Sequence, residues 1–207
     1  MCFSECHYKT QKQQIPIQRR KLMLYMKVKR VIRLVVLLAA AGLALPSIPA
    51  ARAGDNNHSP DLPSPVCDSI EVPPENKVAS HVYALGVQVY RWNGTSWGFV
   101  EPVATLFADA NYHRKVGIHY AGPTWESNRG SKVVATRLEG CSPDPTAIPW
   151  LLLQTVSTDG PGIFSPATYI QRVNTKGGLA PTAPGSSIGA VAEVPYTAEY
   201  YFYRAKN

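Results

Sequence analysis

Basic charge is scarce over most of this chain, although the total suggests otherwise. The formal net charge is +7, but ten of the 21 Lys and Arg residues lie in residues 1–53, against the single acid Glu5. Residues 54–207 hold eleven basic and thirteen acidic residues, a net charge of −2. That balance excludes a net basic surface, and with it a nucleic-acid or anionic-membrane reading built on whole-chain charge. The chemistry-bearing motifs are missing too. No G-x-G-x-x-G follows a strand pattern and strands do not alternate with helices, so a dinucleotide-binding unit is excluded. No two histidines stand at the i, i+2 or i, i+4 spacing that supplies two metal ligands from one element. No period of 20–50 residues repeats, and no cofactor is predicted.

What is present first is a leader. Met26 to Ala53 reads as a secretory signal peptide. Lys27, Lys29, Arg30 and Arg33 form the positive region, and Leu34 to Leu45 is an apolar run. Pro46 and Pro49 break any helix, and Ala51-Arg52-Ala53 supplies an A-x-A cleavage site before Gly54. Leu34 to Ala51, with its two prolines, is marginal for a membrane span of about 20 residues. Residues 1–25 read as a start-site artefact or a disposable extension, with Met23 or Met26 as alternative starts. The expected location is secreted or periplasmic after cleavage near Ala53, with membrane contact only through the signal segment if uncleaved.

Cleavage would remove Cys2 and Cys6 and leave Cys67 and Cys141. An even pair in an oxidising compartment reads as one disulfide, with two buried thiols as the alternative. Residues 54–65 are polar and Pro-containing and are expected to be a disordered linker.

The remaining domain, 66–205, holds all four Trp, nine Tyr and four Phe. It is rich in Gly, Pro, Thr and Val, a composition that favours strands and turns. His81 to Trp92 alternates, with Tyr83, Leu85, Val87 and Val89 on one face. Asn93-Gly94 then predicts a type I′ hairpin turn, and Trp97 to Phe107 is the return strand, with Pro102 at an edge or bulge. Further strands are expected at Lys115–Ala121, Lys132–Leu138, Ala167–Asn174 and Tyr196–Tyr203. The last places Tyr196, Tyr200 and Phe202 on one face and Glu199, Tyr201 and Tyr203 on the other. The apolar run Ile148 to Val156 fits a buried strand or a buried helical turn equally well. The fold class is therefore all-β: one antiparallel β-sandwich or small β-barrel of about seven or more strands.

The stretches GVQVYRW (86–92), GIHYAGPTWE (117–126), IPWLLL (148–153), YIQRVNTKGGLAP (169–181) and VPYTAEYYFY (194–203), in this order, resemble the secreted bacterial and fungal family known as domain of unknown function 3455. The resemblance covers roughly residues 66–205. It implies a secreted single domain and assigns no catalytic residue. It also implies Cys in many relatives at the position of Trp92 and near Gly185, both absent here.

The segment His119 to Glu126 is the leading site candidate. A Gly122-Pro123 turn is expected to present His119, Tyr120, Trp125 and Glu126 together, and aromatic rings beside a carboxylate bind sugars or small organic ligands. Arg172 and Asn174 are expected to share a face with Thr168 and Ile170. Arg172 is expected either to pair with Glu126 or Glu199 or to clamp a ligand carboxylate. His81 and His119 form a weak metal candidate if they meet across a sheet. Gly185-Ser186-Ser187-Ile188-Gly189 matches G-x-S-x-G, but prolines precede it and no helix pattern follows, so it lacks the strand–turn–helix context of a nucleophile elbow. The leading expectation is a non-enzymatic binding or structural module meeting an extracellular small molecule or protein and compatible with homo-oligomerisation. The alternative is an extracellular hydrolase or metal-dependent enzyme using His81, His119 and Glu126.

Overall fold

The computed structural model describes residues 58–206. The expected leader, the extension before it and the start of the expected linker lie outside the described residues. Eight strands follow one another around a closed antiparallel barrel. They are β1 (Asn76–Trp92), β2 (Trp97–Phe107), β3 (Lys115–Tyr120), β4 (Thr124–Ser127), β5 (Lys132–Cys141), β6 (Trp150–Asp159), β7 (Tyr169–Gly177) and β8 (Val191–Ala205). Closure comes from β8 pairing back onto β1 from Asn76↔Ala205 to Arg91↔Val191, so no strand edge is left open. Among the described residues no helix is long and apolar enough to cross a membrane.

Large side chains fill the interior from few strands. Trp125 on β4 and Tyr196, Tyr200 and Phe202 on β8 are all essentially buried in the main core. Beside that aromatic volume the middle of β1 turns small side chains inward, Val82, Ala84 and Gly86, followed by Gln88 and the buried Tyr90. Tyr83, Leu85, Val87 and Val89 form the outer face, where Leu85 is 38 % exposed. Gly86 is needed where it stands: a Cβ there would lie 2.1 Å from the Val103 carbonyl of β2.

The β1–β2 hairpin forms, but not by a two-residue turn. Trp92 pairs with Trp97, leaving a four-residue loop. Asn93 serves through its side chain, whose Oδ1 accepts from the Thr95 and Ser96 amides, and only Gly94 takes positive φ. Pro102 costs no ladder bond, because β2 pairs with β3 only from Ala104 onward. A register shift at Val89/Tyr90 lies beside it.

The run Ile148 to Val156 is a strand from Trp150, buried on both faces at its start. Leu151 and Leu153 pack against the barrel core. Trp150 and Leu152 face outward, into a second cluster with Cys67, Ile70, Cys141 and Val173. That outer cluster is roofed by the segment before β1, which carries a 3-10 turn at Asp68–Ile70 and packs Leu62 and Val72 on the same site. Gln171 on β7 donates to the Ile70 carbonyl at 2.7 Å. Cys67 and Cys141 form a disulfide that ties this arm to β5. Residues 58–65 have no regular secondary structure.

The two ends of the barrel differ. At the end holding the β6–β7 loop, Phe164 is fully buried, stacks near Phe202 with ring centroids 4.4 Å apart, and takes an amide bond to Ser131 Oγ. At the other end, the loop 178–190 leans on β1 and β2: Trp97 Nε1 donates to the Ala183 carbonyl, and Gly185 lies directly under the Trp92 ring. Ser187 belongs to this loop and is followed by β8, not by a helix.

Candidate functional site

A cavity of about 270 Å³ lies inside the barrel toward the end opposite Phe164. Five strands bring its polar residues together: Gln88 from β1, His119 from β3, Trp125 from β4, Arg172 from β7 and Tyr200 from β8. Leu151 and Leu153 of β6 complete the wall, and Phe99, Pro102 and Pro123 stand at the lip with the exposed Arg137.

The geometry of each group follows from strand pairing. His119 is registered with Trp125, and their rings stack at 4.3 Å and 10°. Tyr200 meets both rings edge-on, at 5.2 and 5.3 Å. His119 Nδ1–H donates to the Thr124 carbonyl at 2.8 Å. A carbonyl only accepts, so the proton is on Nδ1 and Nε2 is left as an acceptor. Burial penalises the imidazolium and pulls the His119 pKa down to about 3; the Thr124 bond opposes this and the Arg172 charge adds to it. The ring is therefore neutral at any physiological pH. Arg172 is registered with Tyr200 and donates its Nε–H and an Nη2–H to the Pro149 carbonyl, at 3.1 and 2.7 Å. That uses two of its five donors.

Several polar atoms on this wall are buried without a hydrogen-bond partner: Gln88 Nε2, Trp125 Nε1 and the Tyr200 hydroxyl, with the Tyr196 hydroxyl nearby. The Tyr196 hydroxyl and the Arg172 guanidinium both approach the Tyr200 hydroxyl as hydrogen-bonding neighbours, but neither contact has the geometry of a full hydrogen bond. Burial holds both phenols above their ordinary pKa.

Of the sequence-predicted residues, three meet here: His119, Trp125 and Arg172. The others do not. The Gly122-Pro123 turn forms, with Gly122 at φ +98, but alternation sends Tyr120 and Glu126 to the outer surface. There the Tyr120 hydroxyl donates to Glu126 at 2.7 Å. Trp125, between them in register, points inward. Arg172 pairs with neither Glu126 nor Glu199; the ion pairs among the described residues are His81–Glu199 and His113–Asp109. Asn174 leaves the face of Arg172, because it adopts φ +50 inside the register shift between Val173 and Lys176. Its side chain donates to Glu199 on the outside at 3.0 Å.

His81 and His119 do not form a metal pair. His81 is on the outer face of β1, stacked on Tyr201 at 3.9 Å with Nε2 2.8 Å from Glu199. Burial alone would raise Glu199; bonds from His81, Asn174 and Tyr201 outweigh it and hold the carboxyl below its usual pKa. No group of three His, Cys, Asp or Glu side chains among the described residues is placed to hold a metal. Gln88 and Tyr200 were not singled out from sequence. The only signal was an amide in the middle of the apolar run of β1, GVQVY.

The chain belongs to the family Protein of unknown function (DUF3455). The family profile matches residues 73–204, from just before β1 to the end of β8. No curated protein and no solved structure matches the chain. In this DUF3455 domain every cavity residue named above falls inside the matched region.

Proposed function

We propose that this protein is an exported, non-enzymatic binding module that holds one small molecule inside its barrel. The observation that carries this is the convergence of unpartnered buried donors on one cavity. Gln88, Trp125 and Tyr200 all line that cavity, each is no more than 2 % exposed, and each has a buried polar atom without a partner of good geometry. Buried polar groups are almost always satisfied, so an orphaned cluster beside an empty volume is a ligand's imprint. Eight-stranded barrels are just wide enough to be filled by side chains or to hold one small ligand. At about 270 Å³ the cavity falls just below the range of about 300 to 1,000 Å³ typical of sites for drug-sized ligands, which suits a smaller molecule. Export is supported by the leader pattern of residues 26–53 and by the disulfide, which belongs to an oxidising compartment.

The test is native mass spectrometry of the exported protein beside its denatured mass, followed by a small-fragment screen read on the indole N–H resonances. The denatured mass reports leader removal. Fragments are expected to shift the Trp125 resonance and spare Trp150 on the outer cluster. If no fragment moves Trp125, the binding reading is wrong.

A further inference from the structure

Building on the binding reading, we infer that the cavity's ligand is a small organic carboxylate, its anionic group seated on Arg172 and its apolar body toward Phe99, Pro102 and Pro123. The charge of the lining points this way. Two arginines, Arg172 and Arg137, border the cavity, and neither Asp nor Glu does. His119 is uncharged there, so it adds no second cation and opposes none. Arg172 has no carboxylate within ion-pairing distance among the described residues. A part-buried guanidinium whose neighbours are the Pro149 carbonyl and the Tyr200 phenol has no anion to balance its charge, and a planar carboxylate matches its fork with two parallel bonds.

The neighbours favour the same occupant. Gln88 Nε2 and Trp125 Nε1 are donors without acceptors, and the Tyr200 hydroxyl has a proton to give. Such a set is complementary to oxygen atoms carrying negative charge. The lip is different in kind: Phe99 is 57 % exposed and lies with Val100 and two prolines around the opening. A polar floor beneath an apolar mouth orients an amphipathic molecule head-down. The modest volume excludes a long-chain lipid and suits a compact ring or short chain.

Benzoate and its uncharged counterpart benzamide are the probes, titrated on the full domain while Trp125 and Gln88 side-chain N–H resonances are followed. Benzoate is expected to bind about tenfold to hundredfold more tightly than benzamide, the range of a hydrogen-bonded charge. Arg172→Gln is expected to weaken benzoate binding by about tenfold or more and to erase that preference. If Arg172→Gln does not fold, Gln88→Leu replaces it, with several-fold weaker benzoate binding expected. Equal affinity for the two probes, or tighter benzamide binding, overturns the carboxylate inference and leaves the binding reading standing. Failure of both probes and of every neutral fragment to move Trp125 overturns both. Inorganic phosphate competing as well as benzoate would reassign the site to free oxyanions and overturn the organic part of the inference.

Discussion

Removing the Cys67–Cys141 bridge gives the most quantitative expectation. The bond joins residues 74 apart in sequence. In the chain-entropy description, opening a loop of that length restores about 4.5 kcal/mol of freedom to the unfolded chain at 25 °C. For a domain of about 150 residues this corresponds to a fall in Tm on the order of 10–15 °C. The folded state has its own reasons to keep the arm in place. Ile70 is fully buried against Trp150 and Val173, and its carbonyl accepts from Gln171. The double variant Cys67→Ala/Cys141→Ala is therefore expected to fold with the arm docked. Urea denaturation should show a lower midpoint with an unchanged slope. Amide exchange at Ile70, which donates to the Cys67 carbonyl and is fully buried, should remain slow. Loss of less than about 1 kcal/mol would refute the loop-entropy reasoning. A changed slope, with fast exchange confined to residues 66–72, would show instead that the bond is the arm's main attachment.

His119 makes stability depend on pH. Its folded pKa of about 3 lies below the unfolded value of 6.5, so the unfolded chain takes up a proton first as pH falls. The contribution is complete above about pH 6.5 and is lost toward pH 3, with a slope approaching ~1.4 kcal/mol per pH unit. His119→Asn keeps a donor for the Thr124 carbonyl and removes the titration. The difference in unfolding free energy between native protein and variant should shrink steadily from pH 7 to pH 4, and a constant difference would contradict the assignment. Gln88→Leu should leave thermal stability within about 1 kcal/mol of the native protein or raise it, because the amide it removes has no partner. A loss above about 2 kcal/mol in calorimetry would show that Gln88 is held for structure.

Much of the barrel was legible along the chain. The return strand expected after Asn93-Gly94, Trp97–Phe107, is β2 with the same bounds. Tyr196, Tyr200 and Phe202 were placed on one face and share the barrel core. The cysteines pair as their parity and the expected compartment required. The site was only half visible. A window containing His119, Tyr120, Trp125 and Glu126 looks like one cluster in one dimension, but alternation assigns neighbours to opposite faces of the wall. Asn174 was lost to the inner face by a single left-handed residue, which no period-2 pattern records.

The sequence by itself carried the all-β class, most of the strand-and-turn grammar and a disulfide reading of Cys67 and Cys141. Which face is inside was a tertiary decision. Both faces of β1 carry apolar residues, and beside the aromatic volume of β4 and β8 its inward positions are Val82, Ala84, Gly86, Gln88 and, near its end, Tyr90. The cavity was likewise decided by closure. Gln88, His119, Trp125, Arg172 and Tyr200 come from five strands, and only β8 pairing with β1 bends the sheet so that their side chains converge. Convergence depends on register and curvature, which are properties of paired strands and are not carried by any one of them.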